Sequence, residues 1–432
     1  MNFREKKRKN TPSYQKPIDK PLLLIEDSRS ISNIIESHIH EKWGCPVHKA
    51  GSYAEAIKQL KAHRTEYFLA ICDLNLPDAP NGEIMDLIKR TGLPAIIITG
   101  SVEKGHKQKS DYNRIFDFIL KSQPNSVGYL IEQVGRFYYN QYTTLLIVDD
   151  SKLSREMLSQ VLSDQNFKVL TADSGESALE VIKKHPEIKL VVSDYVMPAM
   201  NGVELTVALR KKHNKSKLAI IGISSDNEAR LGLEFIRNGA NDFLTKPFLI
   251  EELSIRINQN LDTMKYIEVI ENIANRDYLT NLYNRRYFYD EGYGLLKNAM
   301  KCDEPFCTAI FDIDFFKKIN DSHGHDVGDK VLEQFAQLLK QYFSNDLIAR
   351  IGGEEFVAII KAPAPEARQQ LEKFREALSN TRFEYEDNLI PVTTSIGFNS
   401  IKEASLDRML KIADDYLYQA KESGRNKVMG AE

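Results

Sequence analysis

Short apolar runs that end in a polar residue recur along the first 250 positions. Leu22-Leu23-Leu24-Ile25 leads into Glu26-Asp27, and Leu69-Ala70-Ile71-Cys72 ends in Asp73. Ala95-Ile96-Ile97-Ile98 ends in Thr99, and Phe118-Ile119-Leu120 in Lys121. The same endings return in order: Leu145–Val148 with Asp149-Asp150, Leu190–Ser193 with Asp194, Ala219–Ile223 with Ser224, and Asp242–Thr245 with Lys246. Each ending is displaced by 121 to 125 residues (Asp27 to Asp150, Asp73 to Asp194, Thr99 to Ser224, Lys121 to Lys246), which describes two tandem copies. Helix-like stretches lie between the runs, among them Ser30–Ile39, Ala54–Lys61, Lys152–Leu162 and Gly175–Lys184. Strand and helix alternating in this way predict right-handed crossovers and a doubly wound parallel sheet in each copy. Strand C-terminal ends line the ligand crevice of such a sheet, so the acids, the hydroxyl and the lysine converge at one edge. Several carboxylates there suit a hard divalent cation, one acid can accept a phosphoryl group, and lysine and hydroxyl suit its oxygens.

From Leu249 to Ala274 the chain has neither Pro nor Gly. Apolar residues fall at 250, 253, 257, 261, 264, 267, 270 and 273, the steps of three and four that make one helical stripe. At 1.5 Å per residue this helix is roughly 37 Å long, more than is needed to cover one sheet. It is expected to continue as a connector whose stripe pairs in a dimer as a coiled coil. The last helix of the first copy, about Ser126–Tyr139, instead leads within a few residues into Leu145–Val148, so the two copies should sit close together.

A different pattern follows Asp277. An apolar strand carries acids inside it, Ala309-Ile310-Phe311-Asp312-Ile313-Asp314, and runs on through Phe315-Phe316-Lys317-Lys318-Ile319-Asn320-Asp321 to Asp329. After a helix comes Ile351-Gly352-Gly353-Glu354-Glu355-Phe356. Two glycines let the backbone turn tightly and a ligand approach closely. Acids just after them, facing an acid-bearing strand, make a plausible Mg²⁺ pair of the kind completed by nucleotide phosphates. His323 and His325 lack metal-spaced partners and are expected to serve the local turn.

Composition narrows the functions. Lys and Arg number 58 against 61 acids, a net charge of −3, so no global basic field calls for nucleic acid. No basic helix-turn-helix follows the two copies, and the length leaves no room for a hydrolase barrel. Cys45, Cys72, Cys302 and Cys307 are too scattered for a disulfide framework, and Cys302 and Cys307 are expected to be small core residues. No apolar run approaches the ~18 residues of a membrane span. Met1–Lys20 is basic without an apolar region and reads as a disordered leader, so a soluble, cytoplasmic protein without a membrane partner is expected.

Both copies resemble response-regulator receiver domains, which are flavodoxin-like. The resemblance implies that Asp149 and Asp150 bind magnesium with Asp194, the phosphoacceptor, and that Ser224, Phe243 and Lys246 form the switch. Glu26, Asp27, Asp73, Thr99, Phe118 and Lys121 fill the same roles in the first copy. That copy departs in two places: Ser122 stands where Pro247 follows the second lysine, and the span from acceptor to hydroxyl is four residues shorter. Two readings stay open for it, a phosphorylated receiver or a docking module that retains its acids.

The third domain resembles the GGDEF domain of diguanylate cyclases, with GGEEF as its signature. The resemblance implies an α+β nucleotidyl-cyclase-like fold and the joining of two GTP into cyclic di-GMP with release of two pyrophosphates. Asp312, Glu354 and the Ile313 carbonyl would hold Mg²⁺ or Mn²⁺. Glu355 would assist metal binding or activation of the 3′-hydroxyl. Asn320 and Asp329 would read guanine. Amides around Phe315, Phe316 and Lys317, with the Lys317, Lys421 and Arg425 side chains, would hold phosphates. A carboxylate at Asp329 accepts from guanine N1–H and the exocyclic amine, donors that adenine lacks. The family's inhibitory product site, Arg-x-x-Asp, is degenerate: Phe343 replaces the arginine and Asp346 remains.

The expected organisation is a leader (1–20), a first receiver (21–140), a second receiver (143–262), a connecting helix (249–275) overlapping it, and the GGDEF domain (276–432). The expected partners are GTP, a cognate sensor histidine kinase or phosphotransfer protein, and a second copy of the chain through receivers and connector. A catalytically silent, GTP-binding signalling adaptor is the alternative.

Overall fold

The computed structural model describes residues 17–63, 66–100, 115–224, 229–385 and 388–431. Contacts divide the chain into two compact units, the first ending at Lys265 and the second beginning at Tyr266.

The first unit holds both repeats. The first repeat runs β1 (Leu22–Ile25), α1 (Arg29–Trp43), β2 (Val47–Ala50), α2 (Tyr53–His63), β3 (Leu69–Asp73), α3 (Glu83–Thr91), β4 (Ala95–Thr99), β5 (Ile115–Leu120) and α4 (Ser126–Asn140). Its strands pair in parallel in the order β2-β1-β3-β4-β5. The unbroken apolar runs of β1, β3 and β4 are wholly buried because helices cover both faces. Leu23, Ile25, Ala70 and Cys72 enter one core, and Leu22, Leu24, Leu69 and Ile71 the other.

The second repeat runs β6 (Thr144–Val148), α5 (Lys152–Asp164), β7 (Lys168–Ala172), α6 (Gly175–Lys184), β8 (Ile188–Asp194), α7 (Gly202–Arg210), β9 (Ala219–Ser224), α8 (Ala229–Arg237), β10 (Asp242–Thr245) and α9 (Ile250–Asn275). The strand order has the same topology, β10-β9-β8-β6-β7. The shortening in the first repeat falls after its third helix, where residues 92–94 replace the longer 211–218. Leu253, Ile257 and Met264 of α9 enter the second repeat's core. The repeats are tied where α4 ends: Asn166 Nδ2 donates to Phe137 O at 2.8 Å, Asn140 Nδ2 to Gln165 O at 2.9 Å, and Arg136 Nη2 to Asp262 Oδ2 at 2.8 Å.

Two expectations change. The leader falls on 1–16, outside the described residues, but its last residues belong to the first repeat. Ile18 is buried with its N–H on Trp43 O, and Asp19 accepts from the Tyr138 hydroxyl at 2.6 Å, because an apolar residue beside β1 finds core to fill. Cys307 is buried but Cys302 is exposed, since it closes a helix on the solvent side.

The second unit begins inside α9. It continues with β11 (Tyr283–Asn284), α10 (Arg285–Cys302), β12 (Cys307–Ile313), α11 (Phe316–His323), α12 (His325–Tyr342), β13 (Leu347–Gly352), β14 (Glu355–Ile360), α13 (Ala364–Asn380), β15 (Arg382–Tyr385), β16 (Asn388–Pro391), β17 (Thr394–Asn399), α14 (Leu406–Glu422) and β18 (Val428–Ala431). Its main sheet is six-stranded, ordered β11-β13-β14-β12-β17-β18, with β12 antiparallel to both β14 and β17. Period-two alternation in β12 sends Cys307, Ala309, Phe311 and Ile313 into one core and Ile310 into the other. Asp312 shares the Ile310 face, where α14 packs.

Candidate functional site

Each repeat gathers acids at one sheet edge. The carboxylates of Asp149, Asp150 and Asp194 offer oxygens within 4.8 Å of one another, as do those of Glu26, Asp27 and Asp73. Lys246 Nζ lies 2.8 Å from Asp194 Oδ1 and 3.2 Å from Asp149 Oδ2. Lys121 Nζ lies 2.6 Å from Asp73 Oδ2 and 2.8 Å from Glu26 Oε2. Burial holds the Asp194 carboxyl above the usual range against the opposing pull of Lys246. Burial likewise raises Glu26, with Lys121 opposing. An acid trio so crowded, with one lysine, fits a hard divalent cation and a phosphoryl group. The hydroxyl residues are buried at the ends of β4 and β9, and the lysine backbone N–H reaches their carbonyls, Lys121 to Thr99 at 2.8 Å and Lys246 to Ser224 at 2.7 Å. Phe243 is half-buried with its ring 5.9 Å from Phe235, and Phe118 packs half-buried on the first core. The Lys246-Pro247 peptide is cis.

In the second unit β12 brings Asp312 opposite Glu355 of β14, while Ile313 N–H points to Glu354 O at 3.4 Å. Gly353 supplies the turn between β13 and β14 at φ +51°. Asp312 is 6% exposed. Burial, then Glu354 and Glu355, raise its carboxyl above the usual range, and Lys421 opposes them. Lys421 Nζ sits 2.8 Å from Asp312 Oδ2, so here it neutralises the acid. A buried carboxylate flanked by two further acids suits Mg²⁺ chemically. Among the described residues, though, Asp312, Glu354 and Glu355 do not close into a trio as tight as those of the repeats.

The residues expected to meet nucleotide lie near the same end of β12. Phe315 precedes α11, whose first residues are Phe316, buried, and Lys317, exposed. The free amides of a helix start suit phosphate. Asn320 is half-buried, and a Cβ on Gly328 would meet its Oδ1 at 1.9 Å, so the side chain lies against the start of α12 beside exposed Asp329. Lys421 lies in the last turn of α14 and Arg425 in the loop after it, its guanidinium carbon 4.5 Å from the Phe315 ring centre.

Phe343 is 1% exposed, packed on Phe311 and Phe374, and Asp346 accepts from Lys361 N–H and Gln370 Nε2, both at 3.2 Å. Neither presents a free anion- or guanine-binding group. Restoring the arginine by Phe343→Arg should therefore not create a product site. It should bury a charge in an aromatic core and lower stability by about 3–5 kcal/mol, read by urea denaturation.

Sequence reasoning missed three residues. Arg350 donates to Gly353 O through Nε (3.0 Å) and Nη2 (2.7 Å) and to Asp277 Oδ1 through Nη1 (3.1 Å), fastening the hairpin turn to the loop after α9. Asp314, buried two residues beyond Asp312, accepts three hydrogen bonds. The alternation of Asp312 and Asp314 was the available signal for it; for Arg350 and Asp277 only their nearness to the two motifs was.

Two parallel-sheet domains with acid-lysine clusters, joined to a carboxylate-bearing hairpin domain, define a regulator with an output domain. The chain belongs to the response regulators: the receiver-domain family model matches residues 22–131 and 145–258, and the model described as diguanylate cyclase, GGDEF domain, matches 274–427. It is 32% identical over 299 residues to response regulator PleD of Caulobacter vibrioides, covering 66% of this chain and 65% of that one. It is 37% identical over 187 residues to the probable diguanylate cyclase DgcT of Escherichia coli, covering 42% and 41%. The chain thus spans less than two thirds of either curated relative. A solved structure of a probable two-component response regulator/GGDEF domain protein aligns at 34% identity and a TM-score of 0.52, over 57% of this chain and 100% of its own. Among the described residues no helix is long and apolar enough to cross a membrane.

Proposed function

We propose that the protein is a phosphorylation-regulated diguanylate cyclase. The observation that carries this is the placement of Asp312 opposite the Glu354-Glu355 turn, with Lys421 on Asp312 and a helix start and Arg425 beyond it. Two GTP molecules condense: each 3′-hydroxyl oxygen attacks the other's α-phosphorus, pyrophosphate leaves, and the hydroxyl proton passes to a base or water. Asp312, Glu354 and the Ile313 carbonyl would hold Mg²⁺, which would supply positive charge at the α-phosphate and lower the pKa of the hydroxyl. Glu355 assists at that hydroxyl. Lys421 leaves Asp312 for the phosphates when nucleotide enters, and with Lys317 and Arg425 it stabilises charge on the departing pyrophosphate. Asp329 accepts from guanine N1–H and the exocyclic amine and the Asn320 amide hydrogen-bonds the same base, so ATP leaves them unpaired.

Each domain offers one GTP half-site, so two chains must face each other. Tyr266, Ile270 and Ile273 of α9 are exposed at steps of four and three, a stripe that a second copy of the helix would cover. A histidine kinase or phosphotransfer protein would phosphorylate Asp194, and the change at Ser224 and Phe243 would favour the productive dimer. Incubation with GTP and Mg²⁺ followed by nucleotide chromatography tests the reading. One cyclic di-GMP for every two pyrophosphates is expected from GTP and none from ATP. GTP bound but unconverted would favour the adaptor alternative.

Gly328→Ala probes the guanine subsite. Its methyl would press on Asn320 Oδ1 and come 3.2 Å from the Phe316 ring. Alanine suits a helix, so the fold should hold while the KM for GTP rises about tenfold in initial-rate assays.

A further inference from the structure

We propose that Asp314 and Phe315 are positioning residues that lock the Arg425 loop against the start of α11, fixing the cation that meets the triphosphate; this rests on the GTP-site reading above. Asp314 is 4% exposed, and its oxygens are committed to donors. Oδ1 accepts from Ser395 Oγ at 2.7 Å, and Oδ2 from Thr393 Oγ1 at 2.8 Å and from Asn426 N–H at 3.0 Å. Its own N–H donates to Thr393 O at 2.9 Å. One carboxylate thereby joins the end of β12, the start of β17 and the loop after α14.

That loop needs holding. Gly424, Arg425 and Asn426 have φ of +111°, +61° and +48°, values that glycine takes freely, asparagine tolerates and arginine adopts only at a steric cost. Asn426 is held on its other side by Arg375 Nη1, 3.1 Å from its Oδ1. Phe315 is 60% exposed and itself at φ +57°, uncommon for a bulky side chain. Its ring lies under the Arg425 guanidinium, a platform that orients the plane of the cation and leaves its N–H edges free for phosphate oxygens. Adjacent residues thus grip one loop from two sides, Asp314 through the backbone and Phe315 through the side chain.

Binding of 3′-deoxy-GTP to the full chain with Mg²⁺ reads this without turnover, because the nucleotide lacks the attacking hydroxyl. Phe315→Leu should weaken binding about fivefold, and Phe315→Tyr should restore it. In an Arg425→Ala background Phe315→Leu should cost nothing further, a non-additivity that a merely structural role would not produce. Asp314→Asn, which keeps an acceptor for Asn426 N–H, should bind nearly as the unmodified chain does, whereas Asp314→Ala should repeat the Phe315→Leu pattern. Equal losses from Phe315→Leu with and without Arg425, or no loss at all, would overturn the proposal. The expected pattern in a chain that yields no cyclic di-GMP from GTP would support the positioning role and sink the cyclase reading instead. No binding by the unmodified chain would overturn both.

Discussion

Asp312→Asn is expected to lower cyclic di-GMP formation by about 10³-fold while leaving the domain folded. The amide is nearly isosteric, so the place of the side chain on β12 opposite Glu355 should persist. What is lost is the anion that would hold the cation. The fold should tolerate this because burial and the neighbouring acids already work against the charged form. An acid whose pKa rises on folding binds protons more tightly when folded, so its stabilising effect is greatest below its unfolded pKa and declines as pH rises through the folded one. At neutral pH the aspartate is thus on the unfavourable side, and the variant's Tm should equal or exceed that of the unmodified chain. Lys421, whose side chain is 33% exposed, can turn to solvent when its partner is neutralised. Product measured by chromatography above one tenth of the unmodified rate, with an unchanged Tm, would remove Asp312 from the catalytic set.

Asp194→Asn should abolish the response to a phosphodonor, reducing an increase of about tenfold in cyclic di-GMP output to none, with basal output retained. The second repeat is the expected seat of control because α9 leaves it directly, after burying Leu253, Ile257 and Met264 in its core. Lys246 would keep Asp149 at 3.2 Å when Asp194 loses its charge, so the pocket should stay assembled. Asp73→Asn should leave most of the response in place. The first repeat still has a path to α9, since Arg136 of α4 pairs with Asp262. A response that survives Asp194→Asn but not Asp73→Asn would move the switch to the first repeat.

Much of this fold is legible in period and punctuation. Four apolar runs, twice repeated with the same polar endings, are enough to expect two parallel sheets, because chain alternation and crossover handedness leave few other arrangements. The acids at strand ends are legible for the same reason: topology alone collects them. Contacts made by distant segments are not. Nothing near Ile18 announces that it fills the core beside β1, and Cys302 looks as apolar as Cys307 until the helix face is known. Arg350 and Asp277 are 73 residues apart, and their pairing follows from the β11–β13 contact rather than from either motif. Lys421 on Asp312 is a further case, since the lysine carries a signature for phosphate while its neighbour in space is a carboxylate.

Cyclic di-GMP output of the purified full chain, with GTP and Mg²⁺, compared with and without beryllofluoride, decides between the main readings. Product that forms and rises severalfold with beryllofluoride is the predicted result. GTP that binds without conversion in both conditions would contradict it and leave the domain a nucleotide-binding adaptor.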